Sequence, residues 1–90
     1  MNLAGKIAAV SGAGSGIGRQ LAIQLARLNV AVAALDVNPD TLQETLTLIA
    51  QFSGRCSAHV VNIADRERVS KLPEEIVKQH GAIEIGRAHV

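Results

Sequence analysis

Apolar residues fall along this chain in two rhythms. Lys6 to Ser11 reads K-I-A-A-V-S, a short apolar run that ends in glycines. That length and those flanks predict a buried strand. From Ile17 the spacing lengthens. Ile17, Leu21, Leu25 and Leu28 recur at helical intervals, with Arg19, Gln20, Gln24 and Arg27 between them. Val30 to Leu35 is a second continuous apolar run, closed by Asp36. Continuous apolarity means both faces are covered, as in a parallel sheet between helices. Asn38-Pro39 predicts a helix start, because Asn caps free N–H groups and Pro at the first helical position loses no bond. Leu42, Leu46, Ile49 and Phe52 form that helix's apolar stripe, and Gly54 ends it. Cys56 to Val61 reads as a third strand. Asp65 stands near the next helix start, with Val69, Leu72 and Ile76 facing inward. Pro73 should kink this helix or divide it in two. Gly81 should end it. The order β-α-β-α-β-α implies an α/β fold with a parallel sheet and right-handed crossovers.

Composition narrows the partners. Ninety residues make one small domain at most, with a thin stability margin. The net charge of +1 offers no field to attract nucleic acid or an anionic membrane. Phe52 is the lone aromatic residue, so a base-stacking platform is not expected. The single cysteine, Cys56, excludes a disulfide scaffold and a cysteine-based zinc site. No apolar stretch approaches the ~20 residues of a spanning helix, and no signal-peptide pattern opens the chain. These features predict a soluble, cytoplasmic protein.

Ser11-Gly12-Ala13-Gly14-Ser15-Gly16-Ile17-Gly18 sits between the first strand and the first helix. A helix start carries unpaired N–H groups and about half a positive charge, which suits a phosphate. A side chain at Gly12 or Gly16 would block close approach of a pyrophosphate. Gly18, within the first turn, would let the helix pack closely on the sheet. Read from Gly12, the glycines fall as G-x-x-x-G-x-G. The pattern G-x-G-x-x-G would need a glycine where Ile17 stands. A P-loop would need Gly-Lys-Ser/Thr, and the chain has none. Asp36 closes the second strand eighteen residues after Gly18. A carboxylate there can accept both hydroxyls of an adenosine ribose and would repel a 2′-phosphate. No Lys or Arg stands at Val37, Asn38 or Ser15. NAD is therefore expected over NADP.

These residues closely resemble the short-chain dehydrogenase/reductase family, whose glycine motif is T-G-x-x-x-G-I-G. Ser11 replaces the threonine and keeps the hydroxyl. Asp36 matches the family's NAD-selecting position. Asn62-Ile63-Ala64-Asp65 matches its D-V-x-D, where a carboxylate and the next backbone N–H hold the adenine ring. Asn62 keeps an amide oxygen but loses the charge. The resemblance covers residues 4–83. It implies a Rossmann-type doubly wound parallel sheet, here truncated to a β-α-β-α-β-α half. It also implies cofactor contacts at Gly12, Ser15, Gly16, Ile17, Gly18, Asp36, Asn62 and Ile63. The intact protein would be a homo-oligomeric oxidoreductase moving hydride between NAD and an alcohol or carbonyl substrate.

After Ile83 the family pattern is lost. The family continues with an apolar strand and N-N-A-G; this chain continues Glu84-Ile85-Gly86-Arg87-Ala88-His89-Val90. Gly86 and Arg87 interrupt any fourth strand. The heptapeptide back-translates as GAG ATC GGA AGA GCA CAC GTC, the start of a common sequencing-library adapter. Residues 1–83 are thus expected to be the N-terminal part of an NAD(P)-binding domain and 84–90 a non-native tail. Without a fourth strand, Ile7 to Val10 would be an open, aggregation-prone sheet edge, and the nicotinamide side of the crevice would be missing.

The resemblance places catalysis on a Tyr, a Lys and a Ser downstream. This chain has no tyrosine, so no catalytic residue is assigned and the 90-residue chain is expected to be inactive. His59 and His80 have no second ligand at metal spacing and read as structural; His89 lies in the suspect tail. Cys56 reads as a small buried apolar side chain. Glu74 and Glu75 are adjacent and point to different helix faces. Two alternatives stay open. One is a non-catalytic nucleotide-binding or regulatory protein. The other is a methyltransferase-like fold, which leaves the Asn62–Asp65 segment unexplained.

Overall fold

Three short apolar runs, each followed by a helix, assemble around a parallel sheet. The computed structural model describes residues 6–52, 54–80 and 85–88. Strand β1 (Ile7–Ser11) leads through a glycine turn to α1 (Gly16–Arg27). Then follow β2 (Ala31–Asp36), α2 (Pro39–Ala50) and β3 (Cys56–Val60). Two helices, α3 (Arg66–Ser70) and α4 (Leu72–His80), lead to β4 (Ile85–Ala88). The sheet order is β3-β2-β1-β4. Every neighbouring pair is parallel.

The fourth strand corrects the sequence reading. Ile7 to Val10 pair with Ile85 to Ala88 in register. Strand pairing is made by backbone N–H and C=O groups, so Gly86 and Arg87 do not prevent it. Two expectations fall with it. β1 is no longer an open edge, and the reversal of strand order beside β1, where a doubly wound fold binds its ligand, is present. Gly81 and His89 lie outside the described residues.

Alternation along the strands feeds two cores. Val10, Val32 and Ala34 face α1 and α2, meeting Ala22, Ala26, Leu42 and Ile49. Ile7, Ala31, Ala33 and Leu35 face the other way, meeting Leu72 and Ile76 of α4. β2 is buried along five of its six residues, as its continuous apolarity predicts. β3 alternates between buried and exposed residues, as an edge strand does.

The face of α1 differs from the one expected. Gly18, Ala22 and Ala26 are its buried residues. Leu21 and Leu25 flank them half-buried, while Ile17 and Leu28 are exposed. Small side chains let the helix axis come close to the sheet, and the larger ones fill the margins. The helix ends with Asn29 in the left-handed region at φ 65°, a conformation that Asn tolerates just past a helix.

The other helix signals act as read. Asn38 Oδ1 accepts from the N–H groups of Asp40 and Thr41, and Pro39 opens α2. Asp65 caps α3 by accepting from the Arg68 N–H. The segment divides at Lys71, with Pro73 the second residue of α4.

A polar tie joins β3 to α4. Ser57 Oγ and His59 Nε2 lie 2.7 Å apart. His59 Nδ1 lies 2.6 Å from Glu75 Oε2. Arg68 Nη2 donates to the same carboxylate at 3.2 Å. Ser57 and His59 are buried, which leaves them a structural part. Burial works to raise the Glu75 carboxyl, but the hydrogen bonds and charges of His59 and Arg68 outweigh it and hold it below the ordinary value of 4.5. Cys56 packs half-buried against the α1–α2 core, and burial pushes its thiol up to about 12. It is therefore an inert thiol at neutral pH.

The Glu75 tie has a pH signature. A carboxylate with a lowered folded pKa stabilises above its unfolded value, and that contribution is lost as pH falls through the folded one. Glu75 is 40% exposed, so screening limits the contribution to on the order of 0.5 kcal/mol. Urea unfolding of the wild type should therefore weaken more between pH 7 and about pH 3 than that of Glu75→Gln. Parallel losses in the two proteins would contradict the tie.

Candidate functional site

β1 delivers the chain into the turn Gly12–Ser15. Gly12 and Gly16 sit at φ 65° and 58°, where side chains are strained. A Cβ on either would meet nothing within 4 Å. The backbone conformation, not crowding, demands glycine here, and the space over the turn is open. Gly18 is the opposite case. A Cβ there would overlap the Gly12 carbonyl. Gly18 thus seats α1 on the turn at the end of β1, rather than on the sheet as expected.

Ser15 is the N-cap of α1, yet its side chain makes no capping hydrogen bond. No acidic residue stands in the first turn of α1. The partial positive charge of this helix start is thus left uncompensated by its own side chains.

Asp36 ends β2 beside this turn. Its Oδ2 accepts from the Gly14 N–H at 2.9 Å. Its Oδ1 accepts from the Val37 N–H at 2.7 Å. The Ala13 N–H donates to the Leu35 carbonyl at 3.0 Å, extending the β1–β2 pairing into the turn. Gly14 was not singled out in the sequence, although it is buried at the centre of this junction. A Cβ on it would overlap Thr41 Oγ1 and come within 2.6 Å of Asp36 Oδ2. The signal for it was the second glycine of the turn, read together with a carboxylate at the end of the next strand.

The Asn62–Asp65 segment follows β3. Asn62 Oδ1 accepts from the Ala64 N–H at 2.9 Å, and its carbonyl accepts from the Asp65 N–H at 2.8 Å. One lone pair of the Asn62 amide oxygen is thus spent on the turn. Ile63 is 59% exposed, Ile17 74% and Val37 61%. These large apolar side chains follow the C-terminal ends of β3, β1 and β2 respectively, where open α/β sheets form ligand crevices. Among the described residues, no group of three or more His, Cys, Asp or Glu could hold a metal ion. Among them also, no helix is long and apolar enough to cross a membrane.

The sequence also passed over Arg19 and Thr45. Thr45 is fully buried and its Oγ1 donates to the Ala13 carbonyl at 2.7 Å. Arg19 reaches back from α1 to the Gly14 and Thr41 carbonyls. A cation therefore stands behind the glycine turn, brought there by folding rather than by adjacency in the chain.

Known proteins resemble this chain in sequence and in fold. The short chain dehydrogenase family profile matches residues 6–85. Mouse epidermal retinol dehydrogenase 2 is 36% identical over 85 residues, covering 93% of this chain and 28% of the relative. A hydroxysteroid dehydrogenase from Escherichia coli superposes with a TM-score of 0.89 at 30% identity, covering 98% of this chain and 37% of that one. Carveol dehydrogenase from Mycobacterium avium, solved in complex with NAD, gives 0.83 at 29% identity, covering 93% and 35%. This chain thus spans about a third of the length of the proteins it matches. The family profile spans most of the chain, and the chain belongs to the short-chain dehydrogenase family.

Proposed function

We propose that this chain is the dinucleotide-binding part of an NAD-dependent oxidoreductase that interconverts an alcohol and a carbonyl. The observation that carries the proposal is the Asp36 carboxylate, fixed at the end of β2 beside an open glycine turn. Nicotinamide dinucleotide, when bound, supplies the hydride acceptor or donor. The residues of this chain bind and orient it. Gly12 and Gly16 leave room for the pyrophosphate, and the N–H groups at the start of α1 face its charge. Gly18 holds α1 close enough for that contact. Asp36 accepts from the adenosine ribose hydroxyls and repels a 2′-phosphate. Asn62 and the Ile63 N–H hold the adenine edge, and the apolar side chains of Ile17 and Ile63 exclude water from the rings. The residues fit such a group, because the glycine positions are open where a Cβ would otherwise stand. Residues 1–83 carry these contacts.

A second reading is a nucleotide-binding or regulatory protein without catalysis. Both readings share the same cofactor site. They differ in whether a protein that carries this site together with a catalytic Tyr and Lys reduces bound NAD when an alcohol is added.

Two substitutions test the site by binding of NAD and NADP to this chain, followed by NMR or calorimetric titration. Wild type should prefer NAD, and Asp36→Ala should shrink that preference by about tenfold, or roughly 1.4 kcal/mol. An unchanged preference would remove Asp36 from cofactor selection. Gly16→Val puts a branched side chain at a positive φ and into the pyrophosphate space. It should abolish NAD binding while the far-UV circular dichroism is retained. Unchanged affinity would sink the phosphate-cradle reading.

A further inference from the structure

The glycine turn is held from behind by two side chains that no cofactor contact explains. Thr45 Oγ1 donates to the Ala13 carbonyl at 2.7 Å. The same peptide's N–H, on Gly14, donates to Asp36. In a trans peptide the C=O and N–H point in opposite directions. The Ala13–Gly14 plane is therefore pinned at both ends, by α2 on one side and by β2 on the other. The next peptide is pinned at its oxygen by Arg19, whose Nη2 donates to the Gly14 carbonyl. By the same geometry, the Ser15 N–H is turned away from Arg19.

Arg19 is itself fully committed at the atoms that reach the turn. Its Nε donates to Thr45 Oγ1 at 3.0 Å. Its Nη2 shares two N–H groups among the Gly14 carbonyl, the Thr41 carbonyl at 3.1 Å and Glu44 Oε2 at 2.9 Å. Glu44 meets the guanidinium on its solvent side, and the Arg19 side chain is only 22% exposed. Such a group is a poor direct phosphate ligand. What it offers is a rigid fork that ties α1, the turn and α2 together.

We infer that Arg19 is a positioning residue for the dinucleotide. With Thr45, it fixes two successive peptide planes so that the Gly14 N–H meets Asp36 and the Ser15 N–H faces the pyrophosphate. The inference rests on the cofactor reading proposed above. It adds that the phosphate-facing donor is set by a side chain on the far side of the turn. Because two nitrogens act along fixed directions, a lysine cannot replace the fork.

The test compares wild type with Arg19→Met, Arg19→Lys and Glu44→Gln in the 90-residue chain. NAD affinity is read by titration, and hydrogen exchange by NMR at Gly14, Val10 and Val32. Arg19→Met and Arg19→Lys should each weaken NAD by tenfold or more and speed exchange at Gly14 by a similar factor. Val10 and Val32 should exchange as in wild type. Glu44→Gln should leave NAD affinity within twofold. If Arg19→Lys restores affinity, or Gly14 exchange is unchanged in both Arg19 variants, the positioning role is overturned while the cofactor site stands. If wild type does not bind NAD, the cofactor reading fails, and Gly14 exchange in the two Arg19 variants then decides alone whether the fork sets the turn.

Discussion

The Gly14 N–H meets the Asp36 carboxylate at 2.9 Å across 22 residues of sequence. This one hydrogen bond joins the turn after β1 to the end of β2. A charge-assisted bond to a carboxylate is about twice as strong as a neutral one. It can form only because Gly14 lacks a side chain, since a Cβ would overlap Thr41 Oγ1 and crowd the carboxylate. The bond fixes where the carboxylate stands relative to the open glycines. The same contact that shapes the turn thereby aims the group that would read the ribose.

The packing around that junction follows from size. Gly18, Ala22 and Ala26 bring α1 against the turn and the sheet. Alanines at 31, 33 and 34 give β2 a thin profile on both faces. A close-packed interior of small residues limits the error in the position of the helix start, because few side-chain rotations can move it. Thr45 buries a hydroxyl within this interior, and its bond to the Ala13 carbonyl offsets the cost of doing so. The far face is built differently, from Leu72, Ile76 and the Ser57–His59–Glu75 tie. It carries the crossover that returns the chain beside β1.

Much of this was legible in the sequence. The continuous apolarity of Val30 to Leu35 announced a strand buried on both faces. The glycine spacing and Asp36 announced the turn and its carboxylate. What was misread has common causes. The face of α1 was assigned to Ile17, Leu21, Leu25 and Leu28, because hydrophobic periodicity weighs large residues and passes over the small ones that permit close approach. β4 was missed because Gly86 and Arg87 look unlike a strand, while a parallel partner needs only backbone groups at that edge. Arg19, Thr45 and Glu75 were unreadable for another reason. Each acquires its role from a partner on a different element, and no spacing within one segment reveals it.

The dependence of the turn on Asp36 is open to direct measurement. Removing the carboxylate should free the Gly14 N–H. Gly14 amide hydrogen exchange, followed by NMR, should speed up by about tenfold or more in Asp36→Ala. The Arg68 amide, which Asp65 caps, should exchange as in wild type. Gly14 exchange that is unchanged in Asp36→Ala would contradict the account.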